Sequence, residues 1–434
     1  MIIGIDASRA NREHKSGTEW YSYYLIKYFA QFDAENQYIL YSDTPLRGGL
    51  LDLTKLGIED EGRRDEPVYD GRGYQVIKSP HGNFKGSILR WPFPYLWTLG
   101  RLSFEMIRHK PDILFVPAHS LPLFRGRKTV NTIHDVSFRE RGAGYIFERK
   151  RLGPIQSRLA KMAVGLLVRL FTLGRYSANA LDYLDWSTVY SLKHSDKIIT
   201  VSNHSRQQII KAYECDSKTI CRSGKIKVVH NGFNDLIYKK IDSEGKIDEV
   251  LRKYGIRKPY LLYTGRLERK KNTPFLIESF AKAKNRDHSI KEKLVLVGDA
   301  SFGYDEVKYL THQYGLSSEV VTTGWVPEAD MPYIFNGATA FIFPSVYEGF
   351  GIPALQALNC GLPAALSDIP VLREVVGDAA LFFDPNDKEK ASEVIAKLLT
   401  DKDLRKELSD KGLARAKDFS WEKCAKETLK ELLS

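Results

Sequence analysis

Two short stretches of this 434-residue sequence carry side chains whose types and spacing can do chemistry. In TGRLERKKN (264–272), Arg266 and Lys271 lie at a turn between a strand-like run and a helical one. Both can reach an anion held there, the guanidinium as a fork and the ammonium as a point charge. In FIFPSVYEGFGIPALQALNCGLP (341–363), Pro353 marks the first turn of a helix. The free amides of that turn point back into the loop and attract phosphate, and Gly349 and Gly351 let the backbone approach a ligand closely. A carboxylate at Glu348 repels phosphate, so its role is to accept hydrogen bonds from hydroxyls or to balance a cation. A solvated basic turn is the structural alternative for the first stretch; the glutamate loop in the same half of the chain favours an anion site. The simplest ligand combining a diphosphate with many hydroxyls is a nucleotide sugar.

Elements that position these groups follow from periodicity. β-rich apolar runs recur at 2–6, 38–42, 112–117, 129–135, 197–202 and 225–232, then at 260–265, 293–298, 319–324, 339–345, 362–367 and 379–384. Between many of them lie amphipathic stretches of helical length, such as 273–284 and 391–401. Strands apolar throughout that alternate with helices predict parallel sheets covered on both faces, hence an α/β protein of two doubly wound domains. The charged stretch 234–259 reads as their junction. In such sheets ligands bind at the carboxyl ends of the strands. Those ends carry Gly17, His119, His134, Asp135 and Asn231 in the first series, and Gly265, Gly298, Gly324 and the Glu348 loop in the second.

Bulk numbers bound the alternatives. At 434 residues, 43% hydrophobic, the chain exceeds what one core holds. A formal charge of +11 favours anionic partners such as nucleotides, sugar phosphates, nucleic acid or an acidic membrane. Cys215, Cys221, Cys360 and Cys424 form no CxxC pair, so Cys215 and Cys221 read as free thiols in a reducing compartment and zinc is not expected. The start MIIGIDASRA lacks a signal-peptide pattern, and no run of apolar residues suffices to span a bilayer.

Taken in order, SGTEWYSYYLIKYF, TIHD, VSNHS, VVHNGF, GRLERKKN, VGD, TGWVPEADMPYIFNGATAFIFPSVYEGFGIPALQAL and GDAALFFDPND resemble the retaining glycosyltransferases of family 4 over nearly the whole chain. The resemblance implies the GT-B fold, two Rossmann-like domains facing across a cleft. Its boundaries here are an acceptor-binding domain 1–232 with a basic insert at about 139–190, a linker 233–258 and a nucleotide-sugar domain 259–415. A final segment, 416–434, packs back on the first domain. Within the family, the pattern is nearest to bacterial mannosyltransferases of polysaccharide assembly. Carried over residue by residue, Arg266 and Lys271 clamp the donor diphosphate, and Glu348 with the backbone of Gly349, Phe350 and Gly351 holds sugar and phosphate. His134 and Asp135 lie near the anomeric carbon, Gly17 and Thr18 form a loop approaching donor or acceptor, and Gly324, Trp325 and Val326 line the base pocket. Gln356 departs from the pattern: the family usually has a second glutamate there, accepting from both ribose hydroxyls.

The implied activity is metal-independent transfer of a hexose, with a mannose-type donor as the first expectation. No strand-end DxD is present, and the DKD at 401–403 falls in a charged helix. No cofactor is expected beyond the GDP- or UDP-linked co-substrate, and the acceptor is a carbohydrate or a lipid-linked glycan. From Arg139 to Arg175 nine Lys/Arg stand against Glu140 and Glu148. That segment, 147–176 in particular, reads either as an amphipathic contact with an anionic membrane or as a helix pair with a solvated face. The expected location is cytoplasmic, peripheral at the inner membrane face in the first case. Alternatives are an epimerase of the same fold, whose carboxylate acid and base are not identifiable, a non-catalytic relative, and a basic nucleic-acid binder, for which no motif is present.

Overall fold

The computed structural model describes residues 1–57, 66–91, 97–139, 179–216, 221–301 and 303–434. They form two units, one of the described residues up to Asn231 together with Trp421–Ser434, the other Gly232–Ser420. The expected membrane contact at 147–176 lies outside the described residues.

The first unit is built on an eight-stranded sheet of β1 (Ile2–Asp6), β2 (Gln37–Ser42), β3 (Gln75–Val76), β4 (Phe84–Ile88), β5 (Ile113–Val116), β6 (Lys128–Thr132), β7 (Lys197–Thr200) and β8 (Ile226–Val228). Its order is β3-β4-β2-β1-β5-β6-β7-β8, parallel except where β3 meets β4. The second has six parallel strands, β9 (Tyr260–Thr264), β10 (Lys293–Val297), β11 (Val320–Gly324), β12 (Ala340–Phe343), β13 (Ala364–Ser367) and β14 (Leu381–Phe383). There the order is β11-β10-β9-β12-β13-β14, so the direction of winding reverses between β9 and β12, as it does between β1 and β5. Loops leaving the two strands of such a pair diverge to opposite faces, which opens a crevice at their carboxyl ends.

Central strands are buried on both faces, as their uninterrupted apolar runs require: Tyr260, Leu261, Leu262 and Tyr263 expose nothing. β3 and β4 lie outside the apolar runs because they are short and polar, and β3 sits at the sheet edge. The 234–259 stretch is more than a junction. It contains a helix, Glu244–Lys253, whose Ile247 and Leu251 are buried, and it belongs to the second unit. The expectation of free thiols at Cys215 and Cys221 is overturned: the two are joined in a disulfide with Cα atoms 5.0 Å apart. Cys215 lies between two residues with left-handed backbone, Glu214 and Asp216, a local conformation that spacing alone did not disclose.

The last helix, Trp421–Leu433, belongs to the first unit. Trp421, 2% exposed, stacks on Tyr24 with ring centroids 5.4 Å apart and meets the edge of Tyr21 at 6.1 Å. At its other end the helix has carbonyls without intrahelical partners, and two lysines supply them. Lys128 Nζ donates to Leu432 O at 2.7 Å and Lys197 Nζ to Glu431 O at 3.1 Å. Burial, then the Lys197 charge, lowers the affinity of Lys128 for its proton.

In the second unit the strand ends are stitched together by glycine. Gly265 N donates to Val297 O at 2.9 Å, and Gly298 N donates to Gly324 O at 3.0 Å. Gly298 sits at φ +141°, and a Cβ there would stand 2.1 Å from Gly265 O. Backbone opposes backbone at that point, so nothing can swing aside. Gly298→Ala is expected to destabilise the protein by roughly 3 kcal/mol or more, combining overpacking with strain. Denaturant unfolding measures it, and a variant as stable as the parent would refute this account of the edge.

Candidate active site

The reversal between β9 and β12 places the loops after these strands side by side. After β9, Gly265 leads to Arg266, a 3-10 turn at Arg269–Lys271 and the helix Thr273–Arg286, which Pro274 helps to start. After β12, the loop through Tyr347 and Glu348 ends at Gly351, whose φ of +99° caps the helix Ile352–Asn359. A backbone bond ties the two loops, Val346 N donating to Lys270 O at 3.2 Å. Across this tie Lys271 Nζ meets Glu348 Oε1 at 2.5 Å, with side chains only 20% and 10% exposed. Glu348 therefore has a reason to sit at the end of a buried strand: it holds the ammonium in place, and the ammonium offsets the cost of burying the carboxylate. Lys271 also lies 5.5 Å from the Phe343 ring centre.

Arg266 behaves differently. Its carbonyl accepts from Tyr263 Oη at 2.9 Å, which fixes the backbone, while the side chain is exposed and has no ion-pair partner among the described residues. The neighbouring cation Arg269 is occupied by Glu306 at 3.0 Å. At the end of β11, Gly324 (φ +72°) precedes Trp325, 46% exposed, and Val326, which is buried. Gln356 lies on the helix beyond the glycine loop, half-buried, and its amide makes no hydrogen bond among the described residues.

In the first unit the equivalent reversal lies between β1 and β5. Ser16 and Glu19 form a capping box that starts the helix Gly17–Phe32, leaving the amides of Gly17 and Thr18 in its unsatisfied first turn. Burial opposes ionisation of Glu19, but bonds from Ser16 and the Arg9 charge prevail and hold its carboxyl below the ordinary range. After β6, His134 meets the edge of Tyr21 at 4.8 Å and sets Nε2 3.4 Å from Pro117 O. Asp135 accepts from Ser137 N at 2.9 Å and from its hydroxyl at 2.6 Å, and its carbonyl accepts from His119 Nε2 at 2.8 Å. Burial, then the neighbouring His119, pushes the His134 imidazole down to about 4. It is neutral at pH 7, a hydrogen-bonding group and not a cation.

Sequence comparison matches this arrangement twice. Residues 15–235 match the family described as Glycosyltransferase Family 4, and residues 246–415 the one described as Glycosyl transferases group 1. The chain belongs to glycosyltransferase family 4. The O-antigen chain mannosyltransferase B of Escherichia coli is 33% identical over 60% of this chain and 67% of its own length. Serotype-specific mannosyltransferase WbdA of Escherichia coli is 27% identical over 53% of this chain, but the match spans only 28% of that longer protein. Among solved structures, sucrose-phosphate synthase from Thermosynechococcus elongatus aligns over 99% of this chain and 98% of its own, with a TM-score of 0.65 at 17% identity. That likeness is one of fold, the GT-B arrangement of two parallel-sheet α/β domains.

In this glycosyltransferase the fold brings Lys271 and Glu348 into contact and sets Gly349, Phe350 and Gly351 on the loop between Glu348 and the helix start. Arg266 shares the loop that carries Lys271, and Gly324, Trp325 and Val326 lie two strands away, past β10. His134, Asp135, Gly17 and Thr18 are grouped at the edge of the other sheet, linked through Tyr21 one turn into the helix. Spacing had not singled out Tyr21, Arg9 or Asp6. Asp6 ends β1 and is 5% exposed; burial raises its pKa although Ser8 donates to it at 2.6 Å. Position at the end of the first strand was the signal that could have found it. His119, named above only as one of the strand-end groups, makes a hydrogen bond from Nε2 to the Asp135 carbonyl at 2.8 Å and so positions that backbone.

The His134 shift has a consequence for stability. The unfolded chain takes up the imidazole proton near 6.5 and the folded chain only near 4, so between these values the unfolded state binds more protons. Stability attributable to this residue is undiminished above pH 6.5 and is lost as pH falls towards 4. Urea midpoints at pH 7 and pH 5 are expected to drop more for the parent than for His134→Gln; equal drops would remove His134 as the cause.

Proposed function

We propose that the protein is a retaining glycosyltransferase that moves a hexose, mannose in the first instance, from a nucleoside-diphosphate sugar to a carbohydrate or lipid-linked glycan acceptor. The observation that carries this reading is the Lys271–Glu348 pair at the β9/β12 reversal, with the exposed Arg266 guanidinium on the same loop as Lys271 and a helix start at Ile352, just beyond the glycine loop that follows Glu348. An ammonium, a guanidinium and first-turn amides accept the charge that develops on a departing diphosphate. Glu348 accepts from hydroxyls of the transferred sugar. With that positive charge supplied by the protein, a divalent metal is not required to stabilise the leaving group. Both curated relatives named above are called mannosyltransferases, which supports the sugar.

The mechanism proposed is front-face displacement. The bond from the anomeric carbon to the diphosphate oxygen breaks, the acceptor oxygen attaches on the same face, and the acceptor proton passes to the leaving phosphate. No protein nucleophile is assigned. Neutral His134, with Nε2 directed at the Pro117 carbonyl, leaves Nδ1 as an acceptor for a sugar hydroxyl. Trp325 offers its exposed indole to the base.

Transfer and hydrolysis measured over a panel of GDP- and UDP-sugars, with EDTA present, test the assignment. Arg266→Ala is expected to cut turnover on the order of 100-fold while leaving stability within about 0.5 kcal/mol, since its side chain is exposed. Lys271→Ala is expected to lose turnover and also about 1–3 kcal/mol, because Glu348 is left without its partner. Full activity of both variants, or abolition of the parent's activity by EDTA, would overturn the reading.

Gln356 refines it. A glutamine accepts one hydroxyl through its carbonyl but brings a donor and no charge, so charge-assisted bonds to a ribose are absent. Gln356→Glu is expected to lower the donor KM roughly three- to tenfold; an unchanged KM would exclude a ribose contact at this position.

A further inference from the structure

At the opposite end of the first sheet from His134 and Asp135, the amino ends of β7 and β8 border a cavity of about 580 Å³. Asp196 and Lys197 stand at the start of β7, Gly224 and Lys225 just before β8, Lys227 within β8, and Glu431 on the last helix. With Arg222 the lining holds four cations against these two carboxylates. Both carboxylates are already engaged: Asp196 accepts from Thr129 N at 2.7 Å, and Glu431 pairs with Lys197 at 3.0 Å.

Anchoring the last helix accounts for only part of this charge. Lys128 and Lys197 supply the unsatisfied carbonyls of that helix. Lys225 instead donates from Nζ to Ser195 O at 3.0 Å, which fixes its ammonium at the cavity wall. Arg222 and Lys227 have no carboxylate within ion-pairing distance among the described residues. Burial, joined by the Arg222 charge, lowers the affinity of Lys225 for its proton even though the Asp196 carboxylate lies near. Three cations around one cavity without matching carboxylates repel one another, and a multiply charged anion between them removes that cost.

We propose that this cavity is a second ligand site, one that takes a phosphorylated sugar or a similar small phosphate ester. Its size suits such a ligand and exceeds what a bare phosphate fills. Arg222 offers the phosphate a fork, and Lys225 and Lys227 offer point charges. The remaining lone pairs of Asp196 and Glu431 accept from hydroxyls. No aromatic or aliphatic side chain lines the cavity among the described residues, so neither a nucleobase nor an acyl chain finds a surface there. The helix Trp421–Leu433 supplies Glu431 to this cavity, while at its other end Trp421 packs on Tyr21, the ring that meets His134. A ligand here therefore holds the same helix that backs the His134 edge. Binding is independent of the donor and of transfer.

Isothermal titration calorimetry of the full chain with mannose 6-phosphate tests it. The parent is expected to bind this probe about tenfold more tightly than inorganic phosphate, because only the ester offers hydroxyls. Arg222→Ala with Lys227→Ala is expected to weaken binding about tenfold or more. Gly224→Glu, where an added Cβ meets nothing within 4 Å, brings a repelling charge to the lining and is expected to weaken it about tenfold as well. None of these changes removes an ion pair, so the variants are expected to keep the parent's circular dichroism. Arg266→Ala is expected to bind the probe as the parent does. No binding by the parent, or parent-like binding by both cavity variants, would overturn the proposal. So would a loss confined to Arg266→Ala, which would put the probe at the β9/β12 edge, and so would equal affinity for inorganic phosphate, which would mean an adventitious ion only.

Discussion

A parallel sheet buried on both faces can offer polar groups only where its strands end, and this constraint governs the placement of every group of chemical interest here. Within the second unit it is met by the Lys271–Glu348 bond. β9 and β12 are neighbours in the sheet though far apart in sequence, and the winding reverses between them, so their loops part and leave a crevice. A carboxylate at its floor is tolerable because an ammonium reaches it; the ammonium is held because the carboxylate is rigid on a strand end. Glycine makes the arrangement fit. Gly298 lets the ends of β10 and β9 approach more closely than any side chain permits, Gly265 and Gly324 supply the positive φ at the neighbouring strand ends, and Gly351 turns the chain into the helix.

The two units apply the constraint with different electrostatics. Around Lys271 and Arg266 the polar groups are charged, suited to a phosphate-bearing ligand. Around His134 the imidazole is neutral and the acidic groups are engaged by neighbouring hydroxyls and amides. Such an edge recognises hydroxyls by direction more than by charge. The function proposed above assigns the donor to the first of these edges and the acceptor to the second.

Much of the fold was legible because its strands are long apolar runs separated by helical periods. β3 and β4 escaped for the opposite reason: QV and FKGSI have no such run, and they are strands only because β2 offers an edge to β4 and β4 in turn offers one to β3. The bridge between Cys215 and Cys221 escaped because it depends on two left-handed residues, and a sequence does not display φ. Similarly, the 234–259 stretch looked like a linker because its helix buries only two of its apolar residues, Ile247 and Leu251, amid many charges.

By itself the sequence determined the kinds of group at each strand end, the glycines beside them and the departure at Gln356, because these are matters of residue type and order. Tertiary structure alone decided which of those groups meet. Lys271 and Glu348 stand 77 residues apart, and only the β9/β12 pairing brings them within bonding distance. Arg266 and Arg269 are alike in sequence, yet among the described residues one has no carboxylate partner and the other is bound to Glu306 on the helix Tyr304–Gln313. His134 is neutral because burial and His119 act on it together, and burial is a property of the folded chain. Residue type sets what chemistry is available; the winding of the sheet sets where, and with which partner, it is exercised.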